Sequence, residues 1–212
     1  MMGMRTASGE RLADDIIHVL GIGCGLAAAT LLLGWAAANL PGMATMALAI
    51  YCAGLLAMLG CSGAYHMSRA VAWKGTLRRL DHAAIFLKIA GTYTPFALVK
   101  MGGSAGLALF VVVWVVALAG AAAKLLLDAQ WDRLALAVYL ALGWSGIATL
   151  QPLASSIAPA SLWLLAAGGL IYSLGVVFFL WRSLPYHNAI WHLFVLIGTA
   201  CHFGAVAVAV SQ

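Results

Sequence analysis

Charge is what this sequence has least of. Only 8% of its 212 residues are Asp, Glu, Lys or Arg, and just six of those are acidic. The longest polar stretches are the N-terminal tail and residues 67–80, so no segment remains to form a separate soluble domain. Cysteine is also scarce. All four (Cys24, Cys52, Cys61, Cys201) fall inside apolar runs, which excludes a disulfide framework and predicts buried thiols.

What is present is hydrocarbon. The chain is 65% hydrophobic with a mean hydropathy of +1.03, outside the range of water-soluble domains. Runs of about 20 apolar residues suffice to cross a bilayer. They occur at 16–38, 44–65, 82–99, 105–123, 134–150, 161–180 and 189–210. The expectation is an all-α, polytopic, seven-helix bundle forming one domain over residues 1–212, with 1–15 as a short tail. The first run is as long as the others and lacks a cleavage site, so it is expected to be a span and not a removable signal. The seventh run contains no lysine, which excludes a retinal Schiff base there.

A net charge of +5 could point to nucleic acid, but its distribution excludes that. With seven crossings, one face carries Arg5, Arg11, Arg69, Lys74, Arg78, Arg79, Lys124, Arg133 and Arg182, and the other only Lys100. By the positive-inside rule the N-terminus is expected in the cytoplasm and the protein in the inner membrane. Trp35, Trp73, Trp131, Trp163 and Trp181 fall near span ends and read as interfacial anchors. Gly21, Gly23 and Gly25 read as positions of close helix packing.

This topology gives each polar residue a depth. Ser62 and His66 end the second span at the basic face, Asp81 and His82 begin the third there, and His187, Asn188 and His192 enter the seventh. Glu10, Asp14 and His18, four residues apart, start the first. Ionisable groups in spans are costly to bury and usually face a cavity or a bundle interior. Ser62 and His66 share a helical face, as do Asp81 and Lys88. His192 and His202 are ten residues apart, about 15 Å along a helix, and cannot share one ion.

Imidazoles from different helices beside a carboxylate and a hydroxyl suit a zinc site with one open position. In such a site Asp81 would act as general base or hold the water, and Ser62 would donate to a developing oxyanion. The structural alternative is a polar network of His66, Asp81 and His192 that locks three helices. His18 and His82 read as interfacial or hydrogen-bonded residues, and His202 as bonded to an adjacent helix.

Three motifs then stand out: "CSGAYHMS", "LDHAAIFLKIAGTYTPF" and "NAIWHLFVLIGTACHF". Together, over nearly the whole chain and in order, they resemble the hemolysin III branch of the progestin and adipoQ receptor family, within the wider group that includes alkaline ceramidases. Glu10, Asp14 and His18 resemble the family's N-terminal motif, with Asp14 where Asn is usual. The resemblance implies a zinc ion near the cytoplasmic side, held by His66 and by histidines of the seventh span, with Asp81 contacting its water and Ser62 close by. It also implies hydrolysis of a lipid amide.

The sequence departs from the receptor members at one ligand. They place two histidines four apart on the seventh span, whereas here Asn188 is four before His192 and His187 is five before. Five residues turn a side chain about 140° away on a regular helix, and four only about 40°. A helix opened by Pro185, or a π-type bulge, would bring His187 inward. His187 is therefore the favoured third ligand, with Asn188, Asp81 or water as alternatives.

The expected function is a zinc-dependent hydrolase of a membrane-lipid amide or ester, with that lipid as its partner. The alternatives are a lipid-binding signalling module with structural zinc, or a pore-forming, haemolytic protein.

Overall fold

The computed structural model describes residues 2–127 and 132–212, with side chains from Ser8 onward. Trp131 and the Arg5 side chain lie outside the described set. The described residues form helices and no strand: α1 (Met2–Asn39), α2 (Gly42–Met67), α3 (Lys74–Pro95), α4 (Gly103–Leu126), α5 (Asp132–Trp144), α6 (Leu150–Ser156), α7 (Pro159–Leu180) and α8 (His187–Val210). Seven helical stretches are long and apolar enough to span a membrane, with α5 and α6 together making the fifth.

Two segments differ from the sequence reading. The polar stretch 67–80 is mostly helical: a 3-10 turn (Val71–Trp73) leads directly into α3. Helix can continue past the apolar core wherever water satisfies its polar side chains, so hydropathy alone placed this boundary too late. Lys74 Nζ then donates to the Tyr65 carbonyl at 2.5 Å, satisfying one of the acceptors left open in the last turn of α2.

The fifth span is broken. Between α5 and α6 lies a 3-10 stretch (Ser145–Thr149). Tyr93 of α3 repairs the break, its hydroxyl donating to Gly143 O at 2.6 Å and accepting from Gly146 N at 2.9 Å. Irregular backbone at membrane depth is tolerated where such partners exist. At its far end α3 widens into a π-type turn (Phe96–Met101), closed by Gly102 and Gly103, both at φ 58°.

Small residues set the helix spacing. A β-carbon at Gly54 would come 2.8 Å from the Leu87 carbonyl oxygen, and one at Gly91 would come 3.2 Å from that of Ile50. Backbone therefore meets backbone between α2 and α3, the pair that carries His66 and Asp81. Gly168 and Gly198 do the same for α7 and α8, each facing the other's carbonyl oxygen at 3.1–3.2 Å. Gly21 and Gly25 pack against Leu59 of α2, whereas Gly23 faces open space. The core runs between α1, α2, α3 and α8 around Leu48, Tyr51, Leu55 and Val206.

All four thiols are free. Cys52 is buried as expected, but Cys24 lies on the exposed side of α1, because an apolar span faces lipid as readily as core. Trp35, Trp73, Trp163 and Trp181 are exposed, as interfacial side chains are.

Candidate metal centre

Asp14, in the first turns of the α1 span, is the hub of the site. Its carboxylate reaches two imidazoles from distant parts of the chain: His192 Nδ1 of α8 lies 2.6 Å from Oδ1, and His66 Nδ1 of α2 lies 3.4 Å from Oδ2. One turn further along α1, His18 Nδ1 donates to the Asp14 carbonyl at 2.8 Å. A carboxylate or carbonyl oxygen only accepts, so each of these Nδ1 atoms carries the hydrogen. Nε2 of all three rings is left with its lone pair available.

The three rings gather tightly. Ring centroids are 5.0 Å apart for His18 and His66, 4.4 Å for His18 and His192, and 4.3 Å for His66 and His192. One ligand atom from each lies within 4.8 Å of the others. Three nitrogens around a tetrahedral zinc, each about 2.0–2.1 Å from it, sit roughly 3.3 Å apart. The rings must draw together by up to about 1.5 Å to close on such an ion. Orientation of ligand histidines by a carboxylate behind them is the usual supporting arrangement of zinc sites. The residues present fit the ion.

Asp81 and Ser62 lie beside this group. Asp81, the first buried residue of α3, is 7% exposed. Ser62, one turn before His66, sits 3.2 Å from His18 Nε2 and within hydrogen-bonding reach of the Asp81 carboxylate. Its single proton can serve either partner.

The structure does not bring His187 into the group. It opens α8 immediately after Tyr186, which adopts a left-handed conformation at φ 61°. No π-type bulge moves it across the helix, which is regular from His187 onward. Its Nδ1 is buried and has no hydrogen-bond partner among the described residues, while Asn188 is exposed. The third imidazole is instead His18, which the sequence reading assigned to the interface. The signal was there: His18 stands four residues after Asp14, so one helical face offers both groups.

The other histidines keep different company. His82 Nδ1 faces Asp132 at 3.5 Å, in a cluster with Arg78 and Lys124. His202 Nε2 donates across to Leu165 O of α7 at 3.3 Å, as the sequence suggested. Beneath the centre lies a cavity of about 590 Å³ that reaches from His18, His66 and Asp81 down to Lys88, Tyr172 and His202. Most of its wall is apolar, with Ile89, Phe96, Leu162 and Val195 among the lining side chains.

A family profile described as "Haemolysin-III related" matches residues 12–203. The chain belongs to this family. It is a multi-pass membrane protein, 36% identical over 197 residues to "Hemolysin-3 homolog" of Bacillus subtilis (strain 168), a match covering 93% of this chain and 92% of that one. To "Hemolysin-3" of Bacillus cereus it is 34% identical, covering 93% and 90%. "Monocyte to macrophage differentiation factor" of Homo sapiens is 32% identical over 166 residues, 74% of this chain and 67% of that one. No solved structure gives a significant match. The family match takes in every histidine of the centre, together with Asp14, Ser62 and Asp81.

Proposed function

We propose that this protein is a zinc-dependent hydrolase acting on an amide or ester bond of a membrane lipid. The observation that carries this reading is the grouping of His18, His66 and His192 around Asp14, at one end of a largely apolar cavity. His18, His66 and His192 would hold the zinc, which supplies Lewis acidity and lowers the pKa of water at the site to about 7. His187 lines the same cavity outside this group.

The chain's own residues supply the rest. Asp81 accepts the proton given up by the attacking water and returns it to the amine or alcohol that leaves as the acyl C–N or C–O bond breaks. Ser62, whose hydroxyl stands 3.2 Å from His18 Nε2, would donate to the oxyanion formed from the carbonyl. The apolar wall takes the acyl chain and excludes bulk water, and Asp14 keeps the imidazoles aligned. We assign this end of the bundle to the cytoplasm, because the segments that flank it carry nearly all of the basic residues.

The test combines metal content with turnover. Purified protein should hold about one zinc per chain and cleave at least one member of a panel of lipid amides and esters. Asp81→Asn should abolish cleavage while leaving the zinc and lipid affinity in place. A protein that binds zinc stoichiometrically and cleaves none of the panel would be a binding module and not an enzyme.

A further inference from the structure

The cavity has a second polar centre at its inner end, well below the histidines. Lys88, seven residues after Asp81 on α3, is 4% exposed yet lines the cavity. Its Nζ donates to Tyr172 Oη at 2.7 Å and stands 3.4 Å from His202 Nδ1. His202 Nε2 gives its hydrogen to the Leu165 carbonyl, so in the neutral ring Nδ1 can only accept, and Lys88 is the donor. Tyr172 Oη is in turn 2.5 Å from Thr199 Oγ1.

Glycines make room for this centre. A β-carbon at Gly168 would meet the His202 ring at 2.3 Å, and one at Gly198 would meet the Tyr172 ring at 2.9 Å. Each ring sits in a notch on the facing helix, which fixes both partners of Lys88. Nearby, the fully buried Tyr51 Oη has no hydrogen-bond partner among the described residues, leaving further polar capacity unused at this depth.

An ammonium has three donors, and two of them here meet neutral acceptors. Among the described residues no carboxylate pairs with Lys88. A cation buried among apolar helices is costly unless an opposite charge joins it. Lys88 lines a cavity whose walls suit hydrocarbon. We propose that Lys88, braced by Tyr172 and His202, anchors the carboxylate of a long-chain acid whose chain lies in this cavity. The site stands on the cavity and its inner polar cluster, and does not require the hydrolase reading.

The experiment measures binding of palmitic acid, hexadecanol and hexadecylamine to the full-length protein in detergent. It compares wild type with Lys88→Met, Lys88→Arg, Tyr172→Phe and His66→Ala. A hydrogen-bonded charge pair should make wild type prefer the acid over the alcohol by about 10- to 100-fold. Lys88→Met should erase that preference while leaving hexadecanol affinity unchanged, which also shows that the variant is folded. Lys88→Arg should retain the preference, and Tyr172→Phe should reduce it. His66→Ala and a chelator should leave it intact.

Equal binding of acid and alcohol by wild type overturns the proposal. So does a preference that survives Lys88→Met, or one lost with His66→Ala, since the histidines would then hold the acid. Acid co-purified with both wild type and Asp81→Asn comes from the bilayer, and acid retained by wild type alone is released at the histidine centre. Both sources are consistent with the Lys88 site, provided that Lys88→Met loses the acid.

Discussion

Asp14 Oδ1 lies 2.6 Å from His192 Nδ1, joining residues 178 positions apart in the chain. The same carboxylate stands 3.4 Å from His66, and its own backbone carbonyl holds His18. One residue of α1 thus sets the hydrogen-bonding state of three imidazoles on three helices. A site built this way depends on the first span as much as on the second and last.

Asp14→Ala should therefore weaken zinc binding without removing a ligand. Loss of a carboxylate behind ligand histidines typically costs about 10- to 100-fold in metal affinity. Asp14→Asn should cost less, because its amide oxygen can still accept from one imidazole. Competition with a chelator of known zinc affinity reads both, and equal affinity in all three proteins would remove Asp14 from the centre.

His18 and His187 make opposing predictions. His18→Ala should lose bound zinc as fully as His66→Ala or His192→Ala, whereas His187→Ala should keep about one ion per chain. Elemental analysis of the purified variants decides it. Zinc lost with His187 and kept without His18 would restore the helix-opening reading of Pro185.

Depth was legible in the sequence: alternating seven spans put Ser62, His66, Asp81 and His192 at one end, and they lie together there. Azimuth was legible only within a helix, as for Ser62 with His66 or Asp14 with His18. Which side of α1 faces the bundle was not, because α1 is apolar on nearly every face and lipid and core look alike to it. His18 was therefore read as interfacial, Gly23 as packed and Cys24 as buried. The break after Trp144 was hidden too, since its repair comes from Tyr93, fifty residues earlier.

The α2–α3 contact gives a stability prediction. A β-carbon at Gly54 meets backbone, which cannot swing aside, so Gly54→Ala should destabilise by about 1–3 kcal/mol, as overpacking does. Gly23→Ala adds a methyl group in open space and should be neutral or stabilising by up to about 1 kcal/mol. Thermal unfolding in detergent should lower Tm for the first only. Zinc affinity should fall with it, because the same crossing holds His66 against Asp81.

Orientation decides which pool of molecules reaches the centre. Arg69 and Ser104 are both exposed and flank opposite ends of the third span, Val71–Met101. The basic residues cluster on the Arg69 side, and moving such a cluster across a membrane is disfavoured. In a Cys24→Ser background, Ser104→Cys should react with an impermeant maleimide in intact spheroplasts, and Arg69→Cys only after permeabilisation. The reverse pattern would put the histidine centre on the outer side, opening it to extracytoplasmic water and ions and excluding a cytoplasmic supply of zinc.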